Sequence, residues 1–126
     1  MLVYKTKPFG RFQRRERIGD ETLCRTIADA EAGLIEADLG GGLIKQRVAR
    51  AGSGKRGGYR TVIAYRKGTR AFFLLGFAKS ARANIDDDEL AALKRRAAGL
   101  LAAAERALDA MIADEDLTEV DCGEST

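Results

Sequence analysis

The chain has 126 residues, enough for one domain around one packed core, and 45% of them are hydrophobic, as in ordinary globular proteins. Its longest apolar run, residues 71–78 with Gly76 inside, is far short of the roughly 20 residues of a membrane span, and the first residues lack the long apolar stretch of a secretory signal. Net charge is +3, and there is no histidine, which excludes Ser-His-Asp and Cys-His catalysis and histidine metal sites within the chain.

Residues 2–5 read as a short first strand. Phe9 and Phe12 stand three apart among Lys5, Lys7, Arg11, Arg14, Arg15 and Arg17, which suits a short basic helix or turn anchored in the core by its two rings. Asp20 is placed to cap a helix over residues 21–33, with Leu23, Ile27 and Ala30 as its apolar face and Gly33 as its stop. Gly40-Gly41-Gly42 then breaks the chain. Residues 43–49 alternate, Lys45 and Arg47 on one face and Ile44, Gln46 and Val48 on the other. Residues 51–58 form a glycine-rich hairpin connection. Residues 59–66 alternate again, with Arg60, Val62, Ala64 and Arg66 opposite Tyr59, Thr61, Ile63 and Tyr65; the two tyrosines share Ile63's face and are expected in the core. After a turn at Lys67-Gly68-Thr69, residues 70–79 hold the near-continuous apolar run of a strand covered on both sides.

Asp86 and Glu89 have the spacing of a capping box, and the acidic cluster at 86–89 complements the start of a helix, which explains it better than a metal site does. Leu90, Leu93, Ala97, Leu100, Leu101, Ala104, Leu108 and Met111 carry one apolar stripe, predicting a single long helix to about residue 112. Residues 114–126 hold six acids and no base and are expected to be a flexible acidic tail. The expected fold is α+β: a compact single domain over 1–113, its N-terminal strand and helices packed on a mainly antiparallel sheet, with a long C-terminal helix. Cys24 and Cys122, nearly a hundred residues apart, read as reduced thiols of a cytoplasmic protein.

The small net charge conceals segregation. Residues 45–82 contain eleven basic residues and no acid, whereas residues 83–126 hold twelve acids against four bases. A basic middle without carboxylates repels itself and suits a polyanion, with nucleic-acid phosphate as the usual candidate. The glycine loop before Lys55 does not make a nucleotide-binding loop, because Ala49 stands at the first glycine position and Arg56 at the Ser/Thr position of that motif.

Gly54-Lys55-Arg56-Gly57-Gly58-Tyr59-Arg60 and Gly76-Phe77-Ala78-Lys79, together with residues 39–50 and Asn84-Ile85, resemble the RelE/ParE superfamily of bacterial toxins, in its HigB-like and RelE-like branch. The resemblance covers residues from about 2 to 112. It implies the toxin of a type II toxin–antitoxin system: a metal-independent, cofactor-free endoribonuclease that enters the ribosomal A site, cleaves mRNA by 2′-hydroxyl attack, and is neutralised by a cognate antitoxin. It implies catalytic roles for Lys45, Arg47, Arg60 and Lys79. Arg60 matches the arginine of the Gly-Tyr-Arg strand, as the stabiliser of phosphate charge. Arg50, Lys55, Arg56, Arg66 and Arg82 are the expected RNA-binding residues. Several RelE relatives carry a tyrosine shortly after the equivalent of Lys79. Residues 80–86 here contain no aromatic, so the general base stays unassigned, with Lys45 or Lys79 as the candidate.

Two alternatives stay open at the level of sequence: a ParE-like gyrase-inhibiting toxin, and a non-catalytic nucleic-acid-binding module. The basic residues of the strands argue against the first. The acidic segment from Asp114 is a candidate cover for the basic sheet, within one molecule or between two in a homodimer.

Overall fold

The computed structural model describes residues 1–50, 54–79 and 84–123, without the side chains of Arg50 and residues 54–57. Strand β1 (Leu2–Thr6) runs straight into helix α1 (Lys7–Glu16). Thr6 makes this junction: its hydroxyl accepts from the Phe9 N–H at 3.4 Å, and Pro8 in the first turn needs no hydrogen bond there. Helix α2 spans Asp20–Glu31. Its N-cap is Gly19 rather than the expected Asp20. The Asp20 carboxylate instead accepts from Gln13 Nε2 at 2.7 Å and Lys5 Nζ at 3.0 Å, tying α2 to α1 and β1.

The remaining strands are β2 (Ala37–Gly40), β3 (Leu43–Arg50), β4 (Gly54–Arg66) and β5 (Arg70–Ala78), followed by helices α3 (Asp87–Ala102) and α4 (Glu105–Ala113) and strand β6 (Leu117–Glu119). The sequence reading took the glycine triplet as a break and missed β2, a four-residue strand with only Leu39 and Ala37 turned inward. The triplet is the β2–β3 turn. At Gly42 (φ +85°) a Cβ would sit 2.6 Å from Leu101 Cδ1, so α3 lies on a turn that only glycine makes.

The sheet order is β2-β3-β4-β5-β1-β6, antiparallel except for the parallel β1–β5 pair. Period-two alternation gives each side its own core. Phe9, Phe12, Leu23 and Ile27 of α1 and α2 pack on Ile44, Val48, Tyr59, Ile63 and Phe73, with both tyrosines on this side as expected. Ala97, Leu100, Leu101 and Leu108 of α3 and α4 pack on Leu43, Val62, Ala64 and Phe72. The β4–β5 register shifts by one residue between Val62 and Ile63, which pair with Leu75 and Phe73. This bulge resets the alternation, so Phe77 faces the same side as Phe72 and Leu74.

Three expectations are corrected. The single long C-terminal helix is two helices, broken at Ala103-Ala104 in extended backbone. No proline stands at the break, although Gly99 weakens the last turn of α3. The cause is Arg70, whose guanidinium donates to the carbonyls of Leu100 (3.2 Å) and Ala103 (2.8 Å) and caps the end of α3 from the sheet. The acidic segment from residue 114 is not a free tail through residue 123: β6 pairs antiparallel with β1, and Leu117 and Val120 are buried in the two cores. Through residue 123 it lies at the sheet edge farthest from β3, which removes this stretch as a cover for the basic strands of the same molecule. The two cysteines are joined as a disulfide, Cα–Cα 5.4 Å, because β6 returns the chain beside α2. Among the described residues no helix is long and apolar enough to cross a membrane.

Candidate active site

Along β3 and β4 one face of the sheet changes from apolar to basic. Leu43 pairs with Ala64, Lys45 with Val62, and Arg47 with Arg60. The first rows lie in the core beneath α3, and the basic rows follow. Arg60 also pairs with Phe77 on β5.

The pairing sets two guanidiniums side by side, and one carboxylate joins them. Glu36 Oε2 is 2.8 Å from Arg47 Nε and 3.3 Å from Arg60 Nε. The three side chains differ in burial: Arg60 is 6% exposed, Glu36 19% and Arg47 46%. The carboxylate therefore sits over a buried charge and beside an open one. A guanidinium held out of water needs an anion nearby, and Glu36 supplies it.

Glu36 is held by Gln46, which is 4% exposed. The Glu36 N–H donates to Gln46 Oε1 at 2.9 Å, and Gln46 Nε2 donates to the Leu34 carbonyl at 3.0 Å. A side chain on the opposite face of β3 from Arg47 thus fixes the loop that delivers Glu36 to the arginines. The cleft beside them, about 510 Å³, is lined by Asp29, Leu34, Ile35, Glu36, Gln46 and Arg47 among others.

Of the residues expected to be catalytic, the structure brings Arg47 and Arg60 together, with Lys45 one row along the same face of β3. Lys79 follows the end of β5, exposed, two residues past Phe77. Of those expected to bind RNA, Arg66 lies apart: it pairs with Arg70 at the other end of β4, six residues or roughly 20 Å from Arg60. Arg50, Lys55 and Arg56 lie on the distal ends of β3 and β4, and nothing is described of their side chains. Arg82 lies outside the described residues.

Sequence reasoning missed Glu36. It counted acids between residues 45 and 82, found none, and treated the basic strands as uncompensated. The compensating carboxylate comes from outside that window, through the α2–β2 loop. The alternation gave Arg47 and Arg60 their faces but not the register that sets them opposite each other. A search for an acid near the strand start, next to a break, could have flagged Glu36.

The domain is a six-stranded α+β fold in which two arginines paired across β3 and β4 share one carboxylate, Arg60 buried and Arg47 open. The family model for the RelE toxin of the RelE/RelB toxin–antitoxin system matches residues 1–120. The chain belongs to this family. It is the toxin side of a toxin–antitoxin pair, and the family implies an antitoxin partner. No curated protein matches the chain.

Proposed function

We propose that this toxin is a ribosome-dependent, metal-independent mRNA endoribonuclease, with Arg60 and Arg47 holding the scissile phosphate. The observation that carries the reading is the pair of guanidiniums aligned across β3 and β4, one buried and one open, sharing a single carboxylate oxygen. In the reaction the 2′-hydroxyl attacks the adjacent phosphorus, the bond to the 5′-oxygen breaks, and a 2′,3′-cyclic phosphate and a 5′-hydroxyl result. Negative charge grows on the non-bridging oxygens, and forked donors on a rigid sheet stabilise it. Arg60, immobilised by burial, is the transition-state donor. Arg47 orients the phosphate from the solvent side. Lys45 lies one row away and adds positive charge, and Lys79 reaches from the end of β5. Arg50, Lys55, Arg56 and Arg82 are proposed to contact the RNA backbone.

The test is to induce the protein and its Arg60→Ala variant in a bacterial host and map mRNA 5′ ends with and without translation. In-frame cuts that need translation and vanish in the variant are the expected result. Losing a transition-state donor of this kind costs on the order of 10²–10³ in rate. Growth arrest without new RNA ends refutes the reading and points to a protein target such as gyrase.

A further inference from the structure

We infer that Glu36 is the resident anion of a one-phosphate site: in the resting protein its carboxylate occupies the Arg47–Arg60 pair, and a substrate phosphate binds by displacing it. The inference rests on the reading above for the source of that phosphate, the backbone of RNA.

The geometry carries the argument. Arg47 Nε–H donates to Glu36 Oε2 at 2.8 Å, and Arg60 Nε lies at ion-pair distance, 3.3 Å, from the same oxygen. Two guanidiniums converging on one carboxylate oxygen make a doubly positive site, and a phosphate has the further oxygens to engage both. Without an anion Arg60 would be a buried, uncompensated charge, so the site cannot stand empty at low cost. The chain therefore carries its own occupant.

The occupant has somewhere to go. Glu36 lines the cleft of about 510 Å³ that opens beside Arg47. Its backbone stays anchored, since its N–H and the Leu34 carbonyl are both bonded to the Gln46 side chain. Displacement is thus a side-chain rotation, not a loop opening. When the phosphate leaves, the buried positive charge of Arg60 draws Glu36 back.

The consequence is selectivity. Free phosphate must compete with a tethered carboxylate and loses. A phosphate delivered by a longer RNA brings the contacts of Lys45 and the neighbouring basic residues with it, and wins. Glu36 is in this sense a specificity residue, which raises the threshold for occupying the arginine pair.

The test titrates inorganic phosphate into the full chain, by calorimetry or by thermal shift, for the wild type, Glu36→Gln, Glu36→Gln/Arg60→Ala and the charge control Glu105→Gln. The expected result is about tenfold tighter phosphate binding in Glu36→Gln, lost in the double variant and absent in the control. Glu36→Asp keeps a charge in the fold but shortens its reach, and should show a smaller gain; it serves where Glu36→Gln does not fold. Phosphate affinity unchanged or weakened in a folded Glu36 variant overturns the inference, as does a gain that survives Arg60→Ala. The titration contains neither RNA nor ribosome. A failure of the nuclease reading therefore leaves its result standing, and its own failure is visible even in a protein that cleaves mRNA.

Discussion

Breaking the Cys24–Cys122 bond should lower stability substantially and leave the arginine site untouched. The bond closes a loop with a sequence separation of 98. In the chain-entropy account a loop of about 100 residues restricts the unfolded state by roughly 4.7 kcal/mol, and removal of natural disulfides costs about 2–5 kcal/mol. With an unfolding entropy of roughly 2.1 cal/mol/K per residue, a domain of this size loses roughly 4 °C of Tm per kcal/mol, so the fall should be roughly 10–20 °C. What the bond retains in the folded state is smaller. Leu117 and Val120 are buried, the Val120 N–H donates to the Val3 carbonyl at 2.8 Å, and the Lys7 N–H donates to the Asp116 carbonyl at 3.1 Å. These contacts hold β6 without the disulfide, so the reduced protein stays folded at moderate temperature. The assay is thermal unfolding of the wild type with and without reductant, beside Cys24→Ser/Cys122→Ser, with thiol alkylation read by mass. Two strands, β1 and β5, separate β6 from β4, so phosphate or RNA binding at the arginines should not change. Equal Tm values with and without reductant, in a protein whose thiols resist alkylation until reduced, would refute the entropic reasoning. Alkylation of both thiols without reductant would refute the bond itself.

Gly76→Ala should cost about 1–3 kcal/mol in urea unfolding, because the added Cβ falls 2.3 Å from Phe12 Cε2 and the ring is held against Tyr59 in an edge contact of 5.5 Å. Arg70→Met keeps the stem and removes two charged hydrogen bonds to the end of α3; it should cost roughly 2–3 kcal/mol and raise amide exchange in residues 100–104. On the acid side, the hydrogen bond from Gln13, then Lys5, holds the Asp20 carboxyl below its ordinary value of 3.8, and the hydrogen bond from Tyr65 holds Glu31 below 4.5. Both lowered groups contribute stability above those values and lose it as pH falls through their folded-state values, so Tm should fall on acidification below about pH 4.5, less steeply in Asp20→Asn/Glu31→Gln. A variant with the same acid limb as the wild type would place the responsible carboxylates elsewhere.

How much was legible depends on the range of the interaction that decides each feature. The alternation in residues 43–49 and 59–66 is local, and the faces it assigns are those observed, with Ile44, Val48 and Ile63 in one core and Val62 and Ala64 in the other. Asp86 caps α3 through the Glu89 N–H at 2.8 Å, a contact that closes over three residues and was readable as such. Apart from β2 and the Gly19 cap, the failures are long-range. An alanine-rich stripe in which the only local weak point is Gly99 does not place the break at Ala103, because the group that caps it, Arg70, is about thirty residues earlier. A run of acids looks like a tail until β1 is seen to lack a partner on its outer edge, which Leu117–Glu119 fills. Arginine-rich α1 gave no sign that Glu16 would accept from the Tyr59 hydroxyl at 3.0 Å, any more than the α2–β2 loop announced Glu36.

The same limit bears on the charge argument with which RNA binding began. Eleven basic residues and no acid between 45 and 82 suggest that all eleven meet phosphate, which for single-stranded RNA predicts a salt slope of roughly −8 in log K against log [salt]. The fold spends several of them elsewhere. Arg70 is bonded to the carbonyls of α3, and Arg66 and Lys67 lie at the opposite end of β4 from Arg60. Arg47 and Arg60 together offset Glu36 before they offset anything else. About seven net charges of the 45–82 segment remain, so the slope measured with a non-cleavable RNA should be roughly −5. Glu36→Gln should steepen it by about one phosphate's worth, roughly 0.7, because binding then no longer displaces a fixed negative charge. A wild-type slope near −8 would mean that the RNA path runs the whole length of β4 and that the arginine pair is one contact among many. A slope near −5 that steepens in Glu36→Gln confines binding to the end of the sheet where Arg47 faces Arg60, where the proposed cleavage would need its positive charge.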